Sequence, residues 1–271
     1  MDNRPVGVFD SGLGGLTAAR KIRSILPSED IIYFGDTSRV PYGGRSREIL
    51  LKYARQDVRF LRSFDIKAIV VACGTVSTTC LPQLQAENDL PVLGVVEPAC
   101  RRAVAVSKTR HVGLIATAAS VRSGTYEQII HALDPDVTVT ARACPLFVPL
   151  VENGRYERGD IVIETVAREY LEPIRGSGID TLILGCTHYP LLMDLIGEIM
   201  GPEVTLIDTG EEAAWELKRT LKAKDLLSDC AQEGTTTLYA SDQPEDFGSM
   251  AKHFLQEELT SPVLQVNIDR Y

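Results

Sequence analysis

Ile69-Val-Val-Ala-Cys73-Gly-Thr-Val-Ser77 and Leu182-Ile-Leu-Gly-Cys186-Thr-His-Tyr-Pro190 are the stretches whose reading decides the fold. Each is a short apolar run that ends in a small residue, then a cysteine, then a threonine within two positions. Runs of this length with no polar alternation predict strands buried on both faces, and such strands belong to parallel sheets covered by helices on either side. Working outward, the same kind of run recurs at Val6–Phe9, Ile31–Phe34, Ala68–Ala72, Val92–Val95, Val112–Ala116, Val137–Thr140, Thr181–Leu184 and Val204–Ile207. Between them the period lengthens to that of a helix. Ser46–Phe64 places Ile49, Leu50, Tyr53, Ala54, Val58 and Leu61 on one stripe, and Asp160–Ile174 does the same with Ile161, Val162, Thr165, Val166 and Tyr170. After a polar stretch from Lys222 to Thr235 comes a last βα-like passage, Thr236–Leu259, and a strand candidate at Val263–Asn267. The pattern predicts an α/β protein with mostly parallel sheets, and the repeated cysteine segment predicts two halves, each closing an equivalent strand with a cysteine. Ligands of open α/β sheets bind at the carboxyl ends of strands, so the expected site is a cleft lined by one cysteine from each half.

Composition narrows the partner. With 271 residues, 44% of them hydrophobic, the chain can bury a large core. Its formal net charge of -9 argues against a nucleic-acid groove, which needs clustered Lys and Arg, and favours a small-molecule substrate. The apolar run nearest the N-terminus, Val6–Phe9, is too brief for a signal-peptide core or a membrane span, so the expected location is the cytoplasm, with no membrane partner. The six cysteines (73, 80, 100, 144, 186 and 230) form no CxxC pair and no metal-type Cys/His spacing. Free thiols, no metal site and no disulfide framework are expected.

A buried cysteine is often no more than a small hydrophobe, and Cys80, Cys100, Cys144 and Cys230 are read that way, with Cys80 and Cys100 in helix interiors. The pairing of Cys73 and Cys186 suggests more. Inverting a stereocentre with two bases requires one proton acceptor on each face of the carbon, and a desolvated thiolate facing a protonated thiol meets that need. An ordinary thiol, with a pKa of about 8.5, is a few per cent ionised at neutral pH, so each cysteine requires a partner. Asp10, in Asp10-Ser-Gly-Leu-Gly-Gly-Leu16, would project from the end of the first strand toward Cys73, although a strand-end Asp also commonly caps the next helix. His188 stands two residues past Cys186 and can serve as acid or base there. Glu152, in Pro149-Leu-Val-Glu152-Asn-Gly154, falls in a segment without period that reads as a loop. The glycines at 12, 14 and 15 permit a tight turn suited to an anion, but Thr17 occupies the place of the third glycine of a dinucleotide motif, and no phosphate-binding GxxxxGK[ST] is present, which disfavours nucleotides. Ser11, Tyr42, Gly43, Thr75 and Thr187 add hydroxyls and amides at the same strand ends.

Taken together and in this order, Asp10-Ser-Gly-x-Gly-Gly-Leu, Pro41-Tyr-Gly, Ala72-Cys-x-Thr, Pro149-Leu-Val-Glu-x-Gly and Gly185-Cys-Thr-His-Tyr-Pro resemble the glutamate racemases, over about residues 6 to 210. The resemblance implies two pseudosymmetric α/β domains enclosing the substrate, 1–97 plus 208–271 and 98–207. It further implies a cofactor-independent enzyme that interconverts L- and D-glutamate and supplies the D-isomer for peptidoglycan. By the same resemblance Cys73 and Cys186 are the acid/base pair, Cys186 acting on L-glutamate and Cys73 on D-glutamate. Asp10, Glu152 and His188 match assisting positions, and Asp10, Ser11, Tyr42, Gly43, Thr75, Thr117, Thr187 and His188 match substrate-binding ones. One position departs: the family reads Ala-Cys-Asn-Thr-Ala where this chain has Ala72-Cys73-Gly74-Thr75-Val76, which removes a side chain that would touch the substrate. An aspartate racemase and a non-catalytic amino-acid sensor stay open as alternatives, as does a homodimeric assembly.

Overall fold

Ten strands occur among the residues that the computed structural model describes, 2–271. In chain order they are β1 Val6–Asp10, β2 Ile31–Gly35, β3 Ala68–Val71, β4 Val92–Gly94, β5 His111–Ala116, β6 Thr138–Ala143, β7 Thr181–Gly185, β8 Thr205–Asp208, β9 Thr236–Ala240 and β10 Leu264–Gln265. They form two sheets in which every ladder is parallel, the α/β architecture that the sequence predicts. The chain contacts separate into two units, one running to Val95 and resuming at Gly210, the other spanning Val96–Thr209. The first unit carries the six-stranded sheet β10-β9-β2-β1-β3-β4 and the second the four-stranded sheet β6-β5-β7-β8.

The parallel arrangement follows from burial. Every residue of β1, β2, β3 and β7 is buried, so no side of these strands faces water, and helices must cover both faces of the sheet. Polar residues collect at an edge instead: β6 carries Thr138, Thr140 and Arg142. Around Phe60 the first core stacks Phe34, Phe64, Tyr239 and Tyr271, all with ring centroids 4.9 to 5.3 Å away. In the second, Phe147 meets Tyr170 and Tyr189 edge-on.

Without its two added strands, β9 and β10, the first sheet has the same order as the second. In each, the chain's second strand lies beside the first, and the third returns on the other side of the first. That reversal opens a crevice at the carboxyl ends of the first and third strands. In the first unit the crevice falls between Asp10, which ends β1, and Cys73, two residues past β3. In the second it falls between Thr117, which follows β5, and Cys186, which follows β7.

Several local expectations are corrected. The helix Arg47–Leu61 buries Leu50, Ala54, Val58 and Leu61 but leaves Ile49 exposed. In the helix Ile161–Arg175 the core face is Ile163, Ala167, Tyr170, Leu171 and Ile174, while Ile161 is 73% exposed and Val162 is also exposed. Asp160 caps that helix by accepting from the Val162 amide, so the first turn forms ahead of the residues that reach the sheet. Cys80 sits at the junction of the helices Gly74–Thr79 and Leu81–Ala86 rather than inside one, whereas Cys100 lies within Val96–Val106. Glu152 closes a short helix, Phe147–Glu152, instead of lying in a loop. The expected strand at 263–267 shrinks to the two residues of β10, and Cys230 is exposed. All six cysteines are free thiols.

Candidate active site

The first half-site grows from the end of β1. Asp10 is 1% exposed, and its Oδ2 accepts from the Gly12 amide at 3.1 Å. The turn that follows is drawn tight by the Tyr33 hydroxyl, which donates to the Gly12 carbonyl at 2.7 Å. Glycine is required at 15: a Cβ there would lie 2.5 Å from Asp10 Cβ, 2.8 Å from the Tyr33 hydroxyl and 3.0 Å from Ala72 Cβ. This close approach lets β1 and β3 bring Ser11 within reach of Cys73, whose thiol points at the Ser11 hydroxyl at 3.8 Å. Burial, and then the negative charge of Asp10, push the Cys73 thiol up from 9.0 to about 12, against smaller opposing pulls from the Val76 amide and from Ser11. At neutral pH this cysteine therefore holds its proton. Thr75, in the first turn of the helix that Cys73 caps, is buried beside it.

Next to this pair, the segment after β2 packs on the same turn. The Asp36 amide donates to the Asp10 carbonyl at 3.1 Å, and a Cβ on Gly12 would touch Val40 at 3.4 Å. Gly43, half-buried, lies in the single turn Tyr42–Gly44. The hydroxyl of Tyr42 is directed inward rather than offered at the strand ends. It donates to Asp36 and lies 3.2 Å from Asp57 Oδ2. Arg39 donates to Asp36 at 2.5 Å, to Gln56 at 2.6 Å and to Asp57 at 2.9 Å, and Ser241 donates to Asp36 at 3.0 Å. Asp36, Arg39 and Asp57 were not singled out from the sequence. The available signal was Asp57 itself, a carboxylate in helical step with Ala54, Val58 and Leu61 on the apolar face of its helix.

In the second half-site, Gly185 plays the role of the close-packed glycine: a Cβ there would come within 2.9 Å of the Ile115 carbonyl of the neighbouring strand. Cys186 follows, 7% exposed, with its sulfur 3.8 Å from His188 Nδ1. The other ring nitrogen, Nε2, stands 2.9 Å from Glu152 Oε1, and because a carboxylate only accepts, Nε2 carries a proton. Burial alone would lower the imidazole. The hydrogen bonds and charges of Cys186 and Glu152 outweigh it and raise His188 to about 10. The second half thus pairs its cysteine with a cation, where the first pairs it with an anion. Thr187 is buried alongside, and Thr117 caps the helix Ala118–Ser123, accepting from the Ser120 amide at 3.3 Å. Among the described residues, no group of three or more His, Cys, Asp or Glu could hold a metal ion, and no helix is long and apolar enough to cross a membrane.

Residues 20–217 match the model of the Asp/Glu/Hydantoin racemase family. The chain belongs to that family. This racemase has curated relatives that match over nearly its full length. A glutamate racemase of Geobacter metallireducens is 45% identical over 99% of this chain and 98% of its own. Among solved structures, a glutamate racemase isoform of Bacillus anthracis superposes with a TM-score of 0.93 at 37% identity, covering 98% of each chain. The glutamate racemase of Francisella tularensis, crystallised with D-glutamate, superposes with a TM-score of 0.90 at 39% identity, covering 100% of each. The protein is accordingly an isomerase, an amino-acid racemase.

Proposed function

We propose that this racemase interconverts L- and D-glutamate without a cofactor, taking one acid/base cysteine from each of two domains, 1–97 with 208–271 and 98–207. The observation that supports this reading best is the repeated switch point. Apart from β9 and β10 the two sheets share one strand order, each follows its third strand with a buried cysteine, and each cysteine has a titratable partner at hand. A single such cysteine would suit a thiol nucleophile; two equivalent ones suit proton exchange at two faces of one carbon.

The partners support one direction for the first half-turn. An imidazolium at His188, oriented by Glu152, stands where it can stabilise a thiolate on Cys186, and that thiolate removes the α-proton of L-glutamate. The Cys73 thiol, kept protonated by burial and by Asp10, then delivers its proton to the opposite face. One C–H bond breaks and one forms, nothing is oxidised, and the enzyme is left with its charges exchanged, ready to accept D-glutamate at Cys73. The substrate ammonium would offset the Asp10 charge during that exchange. Ser11, Gly43, Thr75, Thr117 and Thr187 supply the hydroxyls and amides that hold the charged groups of the substrate. The product would be the D-glutamate of cytoplasmic peptidoglycan precursors.

Circular dichroism of purified protein with L-glutamate, then D-glutamate, in metal-free buffer tests the reading. Decay of optical activity from both enantiomers, with deuterium entering the α-carbon, is the expected result. Activity on aspartate alone would transfer the assignment to that substrate, as the glycine at position 74 allows. Full activity in Cys73→Ala or Cys186→Ala would overturn the two-base mechanism.

A further inference from the structure

The network behind Tyr42 contains two fully buried carboxylates, Asp36 and Asp57, and one guanidinium, Arg39. It joins four parts of the first unit: the end of β2, the helix Arg47–Leu61, the turn Tyr42–Gly44 and, through Ser241, the segment after β9. A surface loop could be held with far less buried charge, since an ion pair taken out of water recovers its desolvation cost only with close, fully hydrogen-bonded geometry. What distinguishes the arrangement is its terminus. The last link is a phenol hydroxyl whose residue directly precedes Gly43, and the same segment packs through Val40 on Gly12, one residue from the Ser11 that touches Cys73.

We propose that Asp36, Arg39 and Asp57 are positioning residues for the racemisation, acting through the Tyr42 hydroxyl to fix the Gly43 amide against the substrate carboxylate. This rests on the reading given above for Gly43. The proton count within the network follows from geometry. One hydroxyl hydrogen cannot serve two carboxylates, and Tyr42 lies within reach of both. Tyr42 donates to Asp36, which also accepts from Arg39 and Ser241 and so has no hydrogen to give back to the phenol. Asp57 then supplies the other hydrogen, donating from Oδ2 to the phenol oxygen while its Oδ1 accepts from Arg39. Burial and the neighbouring Asp36 charge, with Asp10 beyond it, raise Asp57 well above the ordinary carboxylate range, opposed by Arg39. An amide at 57 reproduces that donor and acceptor pattern.

The test compares Asp57→Asn, Asp57→Ala and Tyr42→Phe with the wild-type enzyme. KM and kcat are measured in both directions, and hydrogen exchange of residues 40–45 is measured without substrate. Asp57→Ala and Tyr42→Phe are expected to raise KM about tenfold or more with kcat nearly intact, and to speed exchange in that segment. Asp57→Asn is expected to stay within a few-fold of wild type in both readouts. An Asn variant that behaves like the Ala variant, or unchanged exchange at 40–45 in Tyr42→Phe, overturns the proposal. So does a loss of thermal stability in Asp57→Ala and Tyr42→Phe with no change in KM. If wild-type protein does not racemise glutamate, the reading of Gly43 fails, and the exchange data still decide whether the network orders the turn.

Discussion

Replacing Asp10 by Asn should make Cys73 a stronger acid, and the size of the effect can be worked from its surroundings. The rise of the thiol from 9.0 to about 12 corresponds to about 4 kcal/mol of preference for the neutral form, at 1.36 kcal/mol per pH unit. Burial is the larger cause and the Asp10 carboxylate the second, and a neighbouring buried charge of this kind is worth roughly 1–2 kcal/mol. Removing the charge while keeping the shape should therefore multiply the thiolate fraction at a given pH by about tenfold. The assay is alkylation by iodoacetamide between pH 7 and 9, read at Cys73 by peptide mapping, with exposed Cys230 as the internal control for reagent. Because only the thiolate reacts, the wild-type rate at Cys73 should climb without levelling off across this range, while a free cysteine peptide levels off near its pKa of about 8.5. The same linkage reaches stability. The folded thiol binds its proton more tightly than the unfolded one, so its contribution is intact below pH 9 and is lost as pH rises from there toward 12; Asp10→Asn should shrink that loss. Unchanged or slower alkylation of Cys73 in Asp10→Asn, with Cys230 unaffected, would refute the assignment of Asp10 as the group that keeps this thiol protonated.

Glu152→Gln removes the negative charge that supports the His188 cation. The alkaline fall in kcat/KM, expected as His188 deprotonates near pH 10, should move to lower pH in a pH–rate profile. Gly15→Ala forces a Cβ against Asp10, Tyr33 and Ala72, and should cost about 1–3 kcal/mol in urea unfolding together with most of the activity. Asp160→Ala deletes a helix cap far from either cysteine in sequence; it should cost about 0.5–2 kcal/mol by thermal melting with kcat and KM unmoved.

What could be read from the sequence was whatever burial imposes on a whole segment. A strand such as Thr181–Gly185 is buried on both faces and declares itself by uninterrupted apolar residues, and the cysteine that ends it is placed by the same argument. Helix faces were less legible, because a first turn can project past the sheet it belongs to: Ile161 and Val162 are apolar yet face solvent. Glu152 was misread for a different reason. Pro149 suggests a loop, but it is the third residue of its helix, where the missing amide hydrogen would have had no partner. The direction of the Tyr42 hydroxyl could not be read at all. It depends on Asp57, on a helix formed by later residues, and on Ser241, which comes from the other end of the chain. Contacts of that range leave no local period.

The added strands of the first sheet bear on how the protein is made. Val96–Thr209 is one unbroken stretch and can close its sheet once its last strand has left the ribosome, whereas the earlier unit must wait. Until Thr236–Ala240 is synthesised, β2 has no neighbour on one side, and its row of amides and carbonyls flanks five buried apolar or small residues, Ile31–Gly35. An open edge of that kind invites pairing with another nascent chain. Even the last residue has a place, since Tyr271 packs on Phe60 and its carbonyl accepts from Arg59. A polypeptide terminated before Thr236 would keep both cysteines and every side chain assigned to the substrate, and would still be expected to aggregate during synthesis.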